Sequence, residues 1–126
     1  MQENEVSQAV IGAAIEVHRT LGPGLLESAY EAALAHQLRL DGLRVNRQPQ
    51  LAVTYKGVEL ADAYRIDLLV EDLVVVEVKA VEKLEAVHTA QLLTYLRFSG
   101  KHLGLLLNFN SRTLHRGIQR VINPLP

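Results

Sequence analysis

Arg65-Ile66-Asp67-Leu68-Leu69-Val70-Glu71-Asp72-Leu73-Val74-Val75-Val76-Glu77-Val78-Lys79 reads as two apolar strand runs joined by a tight turn at Glu71-Asp72. Buried strands rarely carry two acids and a lysine, because ionised groups are expensive to desolvate unless they are paired or bound to metal. Asp67 and Glu77 form a hard, oxygen-only donor pair if they converge, and an ammonium such as that of Lys79 can stabilise negative charge developing nearby.

Whether they converge depends on the turn. Side chains alternate along a strand, so Glu77 and Lys79 share a face. A two-residue loop pairs position 67 with 76 and turns Asp67 away from Glu77. A three-residue loop pairs 67 with 77 and brings the three polar groups together. The converging site therefore requires the odd-numbered loop.

Working outward, residues 4 to 20 place Val6, Ala9, Val10, Ala13, Ala14 and Val17 on one helical stripe. Leu21-Gly22-Pro23-Gly24 stops that helix. A second helix is expected from about Leu25 to Leu40, with Leu26, Ala29, Ala33 and Leu40 on its apolar face and Tyr30 beside it. The pattern then turns to strand over 51–55 and 58–60 about a Lys56-Gly57 turn, followed by the runs 64–70 and 73–79. A helical period returns over 83–98 and closes at Gly100. Leu103 to Phe109 is wholly apolar, as in a strand buried on both faces. Residues 113–122 fit either a strand or a short helix, and 123–126 look irregular. The sum is one α/β domain over residues 1–126, a mixed β-sheet flanked by helices.

Composition sets the bounds. The chain has 126 residues, 48% of them hydrophobic and 21% charged, as expected of a single globular domain rather than a disordered chain. It has no cysteine, which excludes disulfides and thiolate metal sites. The first residues lack the pattern of a signal peptide, and no apolar run approaches the roughly 20 residues of a membrane helix. A cytoplasmic protein with no membrane contact is expected. The net charge of −1 counts mildly against tight non-specific nucleic-acid binding, although Arg97, Lys101, His102, Arg112, His115, Arg116 and Arg120 gather in the second half. An ordinary solvated face explains that gathering equally well. Five scattered histidines show no paired spacing for zinc. His18, one turn before Gly22, reads as an interfacial histidine.

On the third helix, Gln91 and Tyr95 lie four apart on one face, and the strand ending at Lys79 feeds that helix. Near the start of the second, Glu27 and Tyr30 form a similar pair. Asp67, then Glu77-x-Lys79, then Gln91-x-x-x-Tyr95 resembles the active-site pattern of the PD-(D/E)XK nuclease superfamily, in its recombination-exonuclease-like branch. Gly24-x-x-Glu27-x-x-Tyr30 resembles the signature of the small GxxExxY proteins, grouped with those nucleases. The likeness runs from roughly Val10 to Phe109, and the proline of the superfamily's name is Ile66 here.

This resemblance implies a restriction-endonuclease-like fold and Mg²⁺- or Mn²⁺-dependent hydrolysis of DNA, with RNA as a second candidate substrate. Asp67 and Glu77 would ligate the metal together with the Val78 carbonyl, and Glu27 would complete the shell or bind a second ion. Lys79 would act on the attacking water or the phosphate, while Gln91 and Tyr95 would position phosphate or nucleophile. Structural readings stand beside these: Glu27 as a first-turn acid favoured by the helix dipole, Tyr95 as a core aromatic. So small a domain has little surface to grip a substrate, so a homo-oligomer or a larger protein partner is expected. The rival function is a catalytically silent nucleic-acid-binding or protein-interaction module on the same scaffold.

Overall fold

A computed structural model describes residues 1–60, 63 and 65–124. Among the described residues three helices, α1 (Glu3–Leu21), α2 (Glu27–Leu40) and α3 (Ala86–Ser99), accompany seven strands: β1 (Val45–Arg47), β2 (Val53–Tyr55), β3 (Val58–Leu60), β4 (Leu68–Val70), β5 (Val74–Lys79), β6 (Leu103–Asn108) and β7 (Ile118–Ile122). Five strands form a mixed sheet in the order β1-β4-β5-β6-β7, and β2 and β3 make a separate hairpin. β5 and β6 are parallel, connected through α3. The other neighbours in the sheet are antiparallel.

Alternation along β5 divides the core in two. Val74, Val76 and Val78 pack with Leu68, Val70, Leu105 and Leu107 under α1 and α2, whereas Val75 and Leu106 pack with Leu92 and Leu96 of α3. β6 is buried along its whole length, as its unbroken apolar run predicts. α3 lies so close to it that a Cβ on Gly104 would stand 2.9 Å from Leu92 Cδ1, so glycine permits the approach. Among the described residues no helix is long and apolar enough to cross a membrane.

The α1 stripe is as expected: Val6, Val10, Ala13, Ala14 and Val17 are buried. The α2 face is not. Tyr30, Leu34, Ala35 and Leu38 are its buried apolar residues, while Leu26 is 77% exposed and Leu40 67% exposed. Two apolar stripes compete on this alanine-rich helix. The one containing Tyr30, at i, i+4 and i+8, offers far more area to bury. The segment 113–122 resolves into a 3-10 turn, Leu114–Gly117, followed by β7. β1 escapes sequence reading because it is three mostly exposed residues on a sheet edge. The ladder of the expected run 64–70 begins only at Leu68; Tyr64 in that run and residues 125–126 of the expected irregular end lie outside the described residues.

Candidate active site

The turn between β4 and β5 decides the site, and it is the odd-numbered one. Val70 pairs with Val74, Leu69 with Val75 and Leu68 with Val76, leaving residues 71–73 as the loop and extending the register to 67 opposite 77. Glu71 and Asp72 both adopt φ of 54°, and Leu73 N–H donates to the Val70 carbonyl at 3.0 Å, closing a left-handed turn. The strain of two non-glycine residues in this region is offset by fastening: Glu71 N–H donates to the Arg44 carbonyl at 2.9 Å and Arg44 N–H to Glu71 Oε2 at 2.7 Å.

Beyond Leu68 the ladder breaks. Ile66 packs in the α3 core and Leu68 in the α1/α2 core, although residues two apart on a regular strand share a face. The chain therefore twists at Ile66-Asp67, and two side chains replace the missing ladder bonds. Asp67 N–H donates to Glu77 Oε2 at 2.8 Å, and Val78 N–H donates to Asp67 Oδ2 at 2.8 Å. Each carboxylate retains a second oxygen beyond the one its main-chain bond uses.

Glu77 is only 3% exposed. Burial, and then the neighbouring Asp67 charge, raise its pKa from the ordinary 4.5 to about 8. Asp67 is raised to about 6, chiefly by burial and further by Glu31, against the opposing pull of the Val78 N–H and of Lys79. Lys79 favours the charged form of both acids. Tyr95 on α3 feels the same pair: its hydroxyl pKa is raised by burial first, then by the Glu77 and Asp67 charges. Gln91 is exposed and lines, with Ala63, Val87, Ala90, Thr94 and Tyr95, a groove of about 340 Å³.

The first residue of α2, Glu27, accepts a hydrogen bond from Ala80 N–H at 2.9 Å, tying the helix to the exit of β5. It lines a cavity of about 310 Å³ with Ser28, Glu31, Gln48, Asp67 and Val78. Tyr30, three residues on, is structural. Its buried hydroxyl donates to the Gly22 carbonyl and accepts from Leu25 N–H at 3.1 Å, and its ring stacks on Phe109. His18 is interfacial as expected, with Nε2 2.9 Å from the Ser111 carbonyl oxygen.

Sequence reasoning missed Glu31. It is 4% exposed, interacts with the Asp67 carboxyl, and is held by Arg47 Nε at 2.8 Å and Gln48 Nε2 at 3.1 Å. An acid four residues after Glu27 on the same helix was the available signal.

Asp67, Glu77 and the Val78 carbonyl offer an all-oxygen donor set, and the raised pKa values of the two acids report burial first and then a neighbouring acidic charge, countered in part by Lys79. That chemistry fits a divalent cation such as Mg²⁺, which keeps several waters and takes one or two protein carboxylates. Among the described residues no group of three or more His, Asp or Glu side chains is arranged to hold a metal, so the fit rests on Asp67, Glu77 and the Val78 carbonyl.

The sequence profile of the PD-(D/E)XK nuclease superfamily matches residues 4–121. The chain belongs to this superfamily. Its five-stranded mixed sheet with helices on both faces is the restriction-endonuclease-like fold of these nucleases, which generally use divalent metals and act on nucleic acid. Comparison with the curated proteins and with the solved structures returned no match.

Proposed function

We propose that this superfamily member is a Mg²⁺- or Mn²⁺-dependent nuclease that hydrolyses phosphodiester bonds of DNA, of the GxxExxY type within the recombination-exonuclease-like branch. The reciprocal bonding of Asp67 and Glu77 at the twist in the sheet carries the reading. It brings two acids of raised pKa together beside a lysine, in the register that the three-residue loop sets.

Asp67, Glu77 and the Val78 carbonyl would hold the cation, with Glu27 completing its shell from the N-terminus of α2. When bound, the ion supplies a water of lowered pKa and polarises the scissile phosphate. Lys79 shares the Glu77 face of β5 and stabilises charge on the nucleophile or on the pentacovalent phosphorus. Tyr95 and Gln91 orient phosphate from α3. Glu31, gripped by Arg47 and Gln48, sets an acidic charge against Asp67 and helps to keep its carboxyl above the usual range. The reading extends to a cytoplasmic enzyme that works as a homo-oligomer or with a larger protein partner.

The second reading, a silent binding or interaction module, draws on the net charge of −1. One assay separates the two: incubation of plasmid DNA, single-stranded DNA and RNA with the wild type in Mg²⁺ or Mn²⁺, beside Lys79→Ala and an EDTA control. Metal-dependent cleavage that Lys79→Ala loses supports the enzyme. Intact substrates throughout, with the chain still bound to them, support the module.

A further inference from the structure

Six of the seven basic residues that gather in the second half of the sequence separate into two groups in the fold, and the seventh, Arg97, lies on α3. At the end of the sheet where β6 begins, Lys101 pairs with Asp72 at 3.2 Å and His102 Nδ1 lies 2.9 Å from Glu3 Oε1. Arg120 is committed to Ser7 Oγ at 2.9 Å and Asn4 Oδ1 at 3.1 Å. Those side chains are spent on internal bonds. Arg112, His115 and Arg116 lie in the loop and 3-10 turn that follow β6, at the opposite end, and all three side chains are exposed. Among the described residues no ion pair engages Arg112 or Arg116.

That loop is fastened to the exit of β5, the strand that carries Glu77 and Lys79. Phe109 N–H donates to the Lys79 carbonyl at 2.8 Å. Asn108 Oδ1 accepts from Val81 N–H at 3.1 Å, and its Nδ2 donates to the Val81 carbonyl at 2.9 Å. Asn110 Nδ2 reaches the same carbonyl at 3.3 Å. At its far end the loop is closed by Gly117, where a Cβ would stand 2.5 Å from the Asn108 carbonyl oxygen. The result is a short basic segment tied at both ends, one strand away from the acidic pair.

We infer that the 109–117 loop is a phosphate-contacting rail for the nucleic-acid backbone, with Arg112 and Arg116 as its charges. The inference rests on the proposed nuclease function and adds how a domain of net charge −1 grips a polyanion. The loop sets two exposed arginines one strand away from the acidic pair, so a strand lying along it presents its phosphodiesters to the end of β5. Contacts of this kind position the substrate without reading its sequence.

The test measures binding of fluorescein-labelled random-sequence DNA, single- and double-stranded, as a function of salt, in a Lys79→Ala background that prevents turnover. Each phosphate contact removed should lower the salt slope by about one, so Arg112→Gln with Arg116→Gln should lower it by about two and weaken binding by roughly tenfold or more at moderate salt. Arg112→Lys with Arg116→Lys should restore most of the slope. Arg97→Gln with Lys101→Gln, which removes the same charge elsewhere, should leave it unchanged. Circular dichroism of each variant checks the fold. Equal affinity and slope for the glutamine pair and the parent would overturn the rail while leaving the nuclease reading intact. Failure of the parent to bind nucleic acid at all would overturn both.

Discussion

Asp67 and Glu77 are joined through the backbone: Asp67 N–H is bonded to the Glu77 carboxylate, and the Asp67 carboxylate is bonded to the N–H of the residue after Glu77, both at 2.8 Å. Each acid thus does structural service at a break in the ladder and also meets a neighbouring acid, Asp67 with Glu31 and Glu77 with Asp67. Truncation to alanine would remove the charge and also leave a main-chain N–H without its acceptor. Glu77→Gln and Asp67→Asn keep an acceptor oxygen and remove only the charge, so they are the cleaner probes.

Without divalent metal, the fold should lose stability as pH rises. Glu77 titrates near 8 in the folded chain against an ordinary 4.5, so the native state binds more protons than the unfolded state between those values. The contribution is fully present below about pH 4.5 and is lost as pH climbs through 8. Thermal melts in EDTA from pH 5 to 8.5 should show a melting temperature that falls by several degrees, on the order of 5 °C, for this group's share. Glu77→Gln should flatten the profile. A wild-type profile as flat as that of the variant would mean that neither burial nor the Asp67 charge holds the Glu77 carboxyl above its ordinary range.

Glu31 offers a second probe. Arg47→Ala would leave the buried Glu31 carboxylate beside the Asp67 acid without its cation, held by the Gln48 amide. Because Arg47 is itself 41% exposed, the destabilisation should be about 1–3 kcal/mol, less than for a fully buried pair. Urea unfolding of Arg47→Ala beside Arg47→Ala/Glu31→Gln measures it. The double variant should recover much of the loss, since it removes the stranded charge. No recovery would show that Arg47 acts by packing alone.

The fold was largely legible because its signals are strong and local. The helical period of α1, the Gly22-Pro23-Gly24 stop, and the unbroken apolar run of β6 each follow from one physical rule, and the structure agrees with all three. The buried face of α2 was not legible, since small alanines on both stripes left the choice to tertiary packing around Phe109. The turn at Glu71-Asp72 left loop length open, because neither residue is a glycine that would mark the left-handed positions. Parity named the conditions for convergence, and it could not foresee that a twist at Ile66 would substitute side chains for ladder bonds. Glu31 stayed hidden because its partner Arg47 ends an edge strand too short to announce itself, and Gln48 follows in the bend after it.

Catalysis should separate the charges by role. Lys79→Ala should lose cleavage by about a hundredfold or more, the scale of a positioned charge-stabilising group, while metal binding is nearly retained. Glu77→Gln should lose both. Gln91→Ala, on the exposed side of the α3 groove, should fall between wild type and Lys79→Ala. Single-turnover cleavage rates at saturating Mg²⁺ make the comparison. Equal rates for Lys79→Ala and wild type would remove the lysine from the chemistry.

Direct titration of the metal-free chain with Mn²⁺, followed by the electron paramagnetic resonance of the free ion, tests the proposed centre itself. The wild type and Lys79→Ala should each take up Mn²⁺ at a site that Glu77→Gln and Asp67→Asn lose. A wild type that takes up no Mn²⁺ up to millimolar concentration, or one whose uptake survives both substitutions, would contradict a metal centre at Asp67 and Glu77.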